Sequence, residues 1–184
     1  MAVTVIEKGD VPDGALPVGE LAAQMRLADG VVSDPDQSAR LRGRLRAAID
    51  DVERRVDVIA LARTVTLAGG AEDMRRVRLP VRPVTRAVVA TVRRDGTDVA
   101  LGPVSIEAGQ GEAVAVLSSP VRLGERVELV VEAGHAGWAA VPASLGQAVL
   151  LIAEALDAGE GEVLTPMAAA LLAPFRDVRI GRRV

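Results

Sequence analysis

The stretch VPASLGQAVLLIAEALDAG, residues 141–159, is the least interrupted apolar segment of the chain and carries its clearest helix punctuation. Ser144 is placed to cap a helix, with Gln147 three residues on to close a capping box, and Gly159 stands where a left-handed C-cap is wanted. Leu145, Val149, Ile152 and Leu156 fall on one helical face, which Ala148, Leu151 and Ala155 widen. A helix that is apolar around most of its circumference is buried from several sides. Glu154 and Asp157 interrupt the run well short of the ~18 apolar residues that a membrane span requires. The spacing therefore predicts a core helix over 144–158 and no membrane segment.

Working outward, residues 18–28 predict a short helix with Leu21 and Met25 one turn apart, stopped by Gly30. A longer helix is expected over 35–57. Asp34 caps it, Pro35 suits its first position, and Gln37 completes a capping box. Its apolar stripe is Leu41, Leu45, Ala48, Ile49, Val52 and Val56, with Arg42, Arg46, Asp50, Glu53 and Arg54 on a solvated face. The middle of the chain changes period. Leu61, Val65 and Leu67 alternate until Gly69-Gly70 breaks the pattern. Short β-rich runs follow at 76–79, 87–92, 99–101, 104–106 and 113–117, and Asp95-Gly96 is a two-residue hairpin signal. Val127, Leu129 and Val131 alternate cleanly with charged residues over 125–132, and residues 3–6 suit an edge strand. After the core helix, Thr165 and Pro166 open a last helix over 166–173, which Pro174 stops.

Together these features predict an α+β fold: a helical bundle around a long apolar core helix, with a mostly antiparallel β-sheet (residues 61–132) inserted between N- and C-terminal helices. The core helix is expected to cover one face of that sheet. The length of 184 residues favours one domain, able to bury roughly 70% of its unfolded surface. Residues 1–173 are expected to form it, and 174–184 to follow as a tail.

Composition narrows the chemistry. Cysteine is absent, which excludes disulfides, thiolate nucleophiles and cysteine-ligated metals. One Phe, one Trp and no Tyr leave no aromatic platform for single-stranded nucleic acid, and a net charge of −3 gives no global attraction to DNA. The first residues contain no basic segment followed by an apolar one, so no secretory signal is expected. His135 is the single histidine, in a turn, and reads as a plain loop residue. Asp50 and Asp51 are sequence neighbours on different helix faces. No phosphate loop, nucleophile elbow, metal-ligand cluster or cofactor motif is present. No catalytic, cofactor-binding or metal residues are therefore expected.

Two arginine groups stand out. Arg75, Arg76, Arg78, Arg82 and Arg86 suit a basic strip on a sheet edge. Such a strip either protects the edge from aggregation or contacts phosphates or an acidic protein ring. At the C-terminus, Arg176, Arg179, Arg182 and Arg183 alternate with Phe175, Val178 and Ile180. A solvated tail has no need of those apolar residues, so partner docking is the reading they favour.

The order of features resembles the head–tail connector (adaptor) proteins of long-tailed bacteriophages, most closely the adaptor of gene transfer agents. The resemblance is carried by LPVGELAAQMRL, then DPDQSARLRGRLRAAIDDVERRV, LARTVTL, RLPVRPVTRAVVATVRRDG, RVELVVEAGHAGWAAVPASLGQAVLLIA and LLAPFRDVRI, over about residues 16–180. The core helix departs from the family in ending EALDAGEGE, and His135 stands where an aromatic is common. The resemblance implies a non-enzymatic subunit that needs no cofactor. Copies would assemble beneath the portal protein ring as a homo-oligomeric dodecamer, above the stopper or tail-side neck protein. Double-stranded DNA would cross the lumen without specific binding, so the lumen face is expected to be neutral or acidic. It also implies that the tail engages the portal, that the chain lies in the neck of a virion or gene transfer agent particle, and that assembly takes place in the bacterial cytoplasm. The alternatives are another neck protein (a stopper or tail-completion protein) or a small arginine-rich nucleic-acid-binding module.

Overall fold

The computed structural model describes residues 3–28, 30–70, 75–94, 96–108, 113–122, 125–159 and 164–176. They group into two compact units: residues 1–11 with 61–136, and residues 12–60 with 137–184.

The first unit contains β1 (Thr4–Lys8), β2 (Arg63–Gly70), β3 (Arg76–Leu79), β4 (Val84–Arg94), β5 (Thr97–Ala100), β6 (Val104–Ala108), β7 (Ala113–Leu117) and β8 (Arg126–Ala133). They form two antiparallel sheets. One is five-stranded, in the order β1-β2-β8-β4-β5, and the other three-stranded, in the order β3-β7-β6. Alternation builds both. Val127, Leu129 and Val131 of β8 are buried beside Val65 and Leu67 of β2, and Val77 and Leu79 of β3 beside Ala115 and Leu117 of β7. The segment Pro80-Val81-Arg82-Pro83 separates the sheets, because a proline cannot donate to a ladder and so marks where the chain leaves one sheet for the other. The sheets meet where β4 packs against β6 and β7. Arg94 pairs with Thr97, which gives the expected two-residue connection; Gly96 lies in it at φ 81°, while Asp95 is outside the described residues. Gly69 and Gly70 do not break β2; they continue it opposite Val127 and Arg126.

The second unit contains α1 (Val18–Gln24), α2 (Pro35–Val56), α3 (Ala143–Ala158) and α4 (Pro166–Leu172). Asp34 caps α2 by accepting from the Gln37 N–H at 2.9 Å, and the whole expected stripe from Leu41 to Val56 is buried. Gly159 ends α3 in the left-handed region. The capping box expected at Ser144 does not form. The helix starts one residue earlier, behind Pro142, and the Gln147 side chain donates instead to Gln24 of α1 at 3.0 Å.

The expected helical bundle around a long apolar core helix, carrying one inserted sheet, is not what the chain forms. Helix α3 has 16 residues and is shorter than the charge-striped α2, which has 22. Eight strands in two sheets, among the described residues, hold a core of their own by packing sheet on sheet. The two charges that interrupt α3 act as anchors. Glu154 accepts from Gln24 at 2.8 Å, and Asp157 pairs with Arg40 at 3.3 Å and Arg44 at 3.5 Å.

Glu53 was expected on the solvated face of α2 but is only 3% exposed. Its Oε1 accepts from the Ala60 backbone N–H at 2.9 Å, where the chain turns back after Asp57 at φ 54°. Removing that acceptor leaves a buried donor unsatisfied. Glu53→Ala is expected to lower unfolding stability in urea by about 1–3 kcal/mol. Glu53→Gln, which keeps an acceptor oxygen, is expected to lose less.

Candidate interaction surfaces

The five arginines of the expected strip are divided between the two sheets. Arg76 and Arg78 lie on β3, an edge strand, alternating with buried Val77 and Leu79. Arg75 precedes the strand and donates to the Ser118 carbonyl at 2.8 Å, while Arg76 reaches Glu107 of β6 at 2.7 Å. Arg82 is half-buried in the segment that crosses between the sheets. Arg86 lies on β4 opposite Glu132 of β8, beyond the reach of β5, and its Nε donates to Glu132 at 2.8 Å. Arg76 and Arg78 lie on an edge strand, whereas Arg86 lies on the part of β4 that pairs with β8 alone, so the five do not form one strip.

Of the C-terminal group, Phe175 is half-buried at the end of a 3₁₀ turn (Ala173–Phe175) and Arg176 is exposed. Val178, Arg179, Ile180, Arg182 and Arg183 lie outside the described residues.

Several polar features went unread in the sequence. Arg42 and Arg46 of α2 both engage Asp13, from a turn before α1. Trp138 donates its indole N–H to Glu20 at 2.7 Å, and its ring lies 3.3 Å from where a Cβ on Gly146 would stand. Asp51 is not half of an acid pair. Burial opposes its ionisation, but hydrogen bonds from Arg55 and Arg54 hold its carboxyl below the ordinary value. The Asp13 and Glu20 partners are remote in sequence, so residue spacing gives no signal for them, whereas Asp51 pairs with Arg54 and Arg55 at i,i+3 and i,i+4, a spacing that the sequence does carry.

Among the described residues, no group of three or more His, Asp or Glu is placed to hold a metal. No described helix is long and apolar enough to cross a membrane. Burial holds the His135 imidazole below its ordinary pKa, and its backbone carbonyl accepts from Ala62 at 2.8 Å, so it serves as a junction residue.

Glu125 shows the strongest electrostatic effect. Arg94 donates to both its oxygens, at 2.8 and 3.0 Å, and the Arg122 backbone N–H adds a third bond at 2.8 Å. Led by the Arg94 side chain, these bonds lower its pKa from 4.5 to about 2. A depressed carboxylate stabilises the fold above its unfolded pKa and loses that contribution as pH falls from 4.5 toward about 2. Arg94→Gln is expected to be destabilised at neutral pH, with the gap from the unmodified chain closing across that acid window in urea melts.

No protein-family model matches the chain, and no curated protein matches it in sequence. Solved structures do match, over the full length. A chain from the neck of an empty gene transfer agent particle, computed with C6 symmetry, superposes with a TM-score of 0.78 at 27% identity, covering 100% of this chain and 99% of that one. A chain from the virion of a native gene transfer agent particle gives 0.74 at 29% identity, with the same coverage. One from the neck of a native particle, computed with C12 symmetry, gives 0.72 at 27%, covering 98% of each. The chain is a structural relative of components of the gene transfer agent neck and virion.

Proposed function

We propose, from this kinship, that the chain is a head–tail connector (adaptor) subunit: a non-enzymatic part of the neck that joins capsid to tail. Copies form a ring beneath the portal and above the stopper, and double-stranded DNA passes through the lumen. Residues 1–173 act as the connector body, and 174–184 dock on the portal. The observation that carries this reading is the match of both chains over nearly their whole lengths, at TM-scores of 0.72–0.78. Neck structures computed with C6 and C12 symmetry support a ring, and a dodecamer is the size proposed here. The arginine pairing favours a connector over a nucleic-acid module. Arg76 and Arg86 already hold Glu107 and Glu132, so they offer phosphates little unsatisfied charge.

The test mixes the purified chain with the portal ring of its own particle and images the product by electron microscopy, with the chain alone as control. A new ring layer under the portal is expected. If none forms at near-physiological salt while the chain binds DNA with a steep salt dependence, the connector reading fails and the nucleic-acid reading replaces it.

A further inference from the structure

The five-stranded sheet exposes aliphatic side chains on two strands that two intervening strands separate. Of the six large apolar residues exposed among the described residues, four lie there: Val5 and Ile6 on β1, and Val88 and Val89 on β4. β1 is the sheet edge. On the other side, the short β5 pairs only with Thr91–Arg94. The Val84–Val89 part of β4 therefore has β8 as its ladder partner; β6 packs against β4 without a ladder, and the Val88 and Val89 side chains stay exposed. Both stretches are bulged. The register of β1 shifts between Val5 and Glu7, and that of β4 between Ala87 and Val89, so Ile6 and Val88 are the extra residues. Bulges that guard an edge usually accompany lysine, proline or inward charges; here the extra residues are Ile and Val, 54% and 50% exposed.

We infer that the β1 edge of one copy packs against the 84–89 stretch of β4 on the next copy, side chain to side chain at the bulges, and that this contact closes the connector ring. The inference rests on the ring reading above and names the surfaces it uses. A second copy is the occupant for two reasons. A cyclic ring needs two different, complementary patches on each subunit, whereas β1 meeting β1 would close a two-fold dimer. The related neck structures were computed with C6 and C12 symmetry. Bulges interrupt regular strand addition, so the contact is weak enough to form on a template rather than in free solution.

The chain has no cysteine, so engineered pairs can be read cleanly. Ile6→Cys, Val88→Cys and the double variant are assembled on the portal ring and oxidised. β2 and β8 lie between the two positions, about 14 Å across three strand spacings, too far for a disulfide within one chain. The double variant is expected to give a ladder of covalent dimers, trimers and higher species on a non-reducing gel, and each single variant to remain monomeric. As a second readout, Ile6→Lys and Val88→Lys are expected to stay folded and to cut ring layers on the portal at least tenfold. Val32→Lys, at an exposed residue of the other unit, should assemble normally. Cross-linking of a single variant, a double variant that assembles without a ladder, or normal assembly of both lysine variants overturns the inference alone. Absence of any ring from the unmodified chain overturns the connector reading as well.

Discussion

Gly134→Ala is expected to cost about 3 kcal/mol or more, and so to lower the melting temperature by about 6–12 °C. A Cβ at this position would stand 2.4 Å from the Leu61 carbonyl oxygen, 2.5 Å from its carbon and 2.7 Å from the Ala62 nitrogen. All three are backbone atoms, with no flexible side-chain end to move aside. The residue also sits at φ +107°, which a side chain disfavours whatever the space. The neighbouring backbone is pinned. The Gly134 N–H donates to the Pro83 carbonyl at 2.9 Å, Ala62 donates to His135, and Leu61 bridges to His135 while only 1% exposed. Relief therefore has to break several of these bonds at once. Gly137 is the control. It lies three residues on in the same AGHAGW run, but its backbone is extended at φ −175° and a Cβ there meets nothing within 4 Å. Gly137→Ala should change stability by no more than about 0.5 kcal/mol. Thermal melts of the two variants check the contrast, and equal melting temperatures would mean that the Leu61–Gly134 approach is not tight in solution.

The same two glycines mark what the sequence could and could not convey. They look alike in AGHAGW, and only the approach of the Leu61-Ala62 backbone, remote in sequence, tells them apart. Local signals were legible. The Asp34 cap, the α2 stripe and the Val127-Leu129-Val131 alternation each involve residues within a few positions of one another. Pairing was not legible. β2 finds β8 and β3 finds β7 across long intervening stretches, so one sheet and two sheets have the same periodicity. The apolar run at 143–158 does not organise the whole chain for a related reason: its continuity reflects alanine and leucine packed against α1, α2 and α4, whereas the β unit fills its own core. Charges misled where their partners were remote. Glu53 belongs to the Ala60 turn, Arg42 and Arg46 to Asp13, and Arg40 and Arg44 to Asp157. The family resemblance was legible: the solved structures that match, at 27–29% identity, are components of the gene transfer agent neck and virion.

Removing residues 175–184 is expected to leave the rest of the chain folded and to abolish docking on the portal ring. The last helix is secured before the cut. Thr165 caps α4 through the Ala168 N–H at 3.2 Å, and Ala168 and Leu172 are fully buried. Ala173, Pro174 and Arg176 are exposed, and Phe175 is only half-buried, so its loss removes a fraction of the ~1.5–3 kcal/mol that a fully buried side chain contributes. Docking behaves differently. Phe175, Val178 and Ile180 would each bring a similar apolar gain on burial against a partner, partly offset by ordering of the segment. Since about 1.4 kcal/mol is a tenfold change in affinity, losing two such anchors would weaken docking by two orders of magnitude or more. The arginines enter separately. Replacing Arg176, Arg179, Arg182 and Arg183 with Gln should weaken docking most at low salt and least at high salt, because screening already removes much of their attraction there. Truncation should weaken docking at every salt concentration. Sedimentation of the truncated and Arg→Gln variants with portal rings, alongside circular dichroism of each variant alone, separates the two contributions. A truncated chain that cannot fold would make these residues part of the core, and one that docks normally would move the portal contact elsewhere on the subunit.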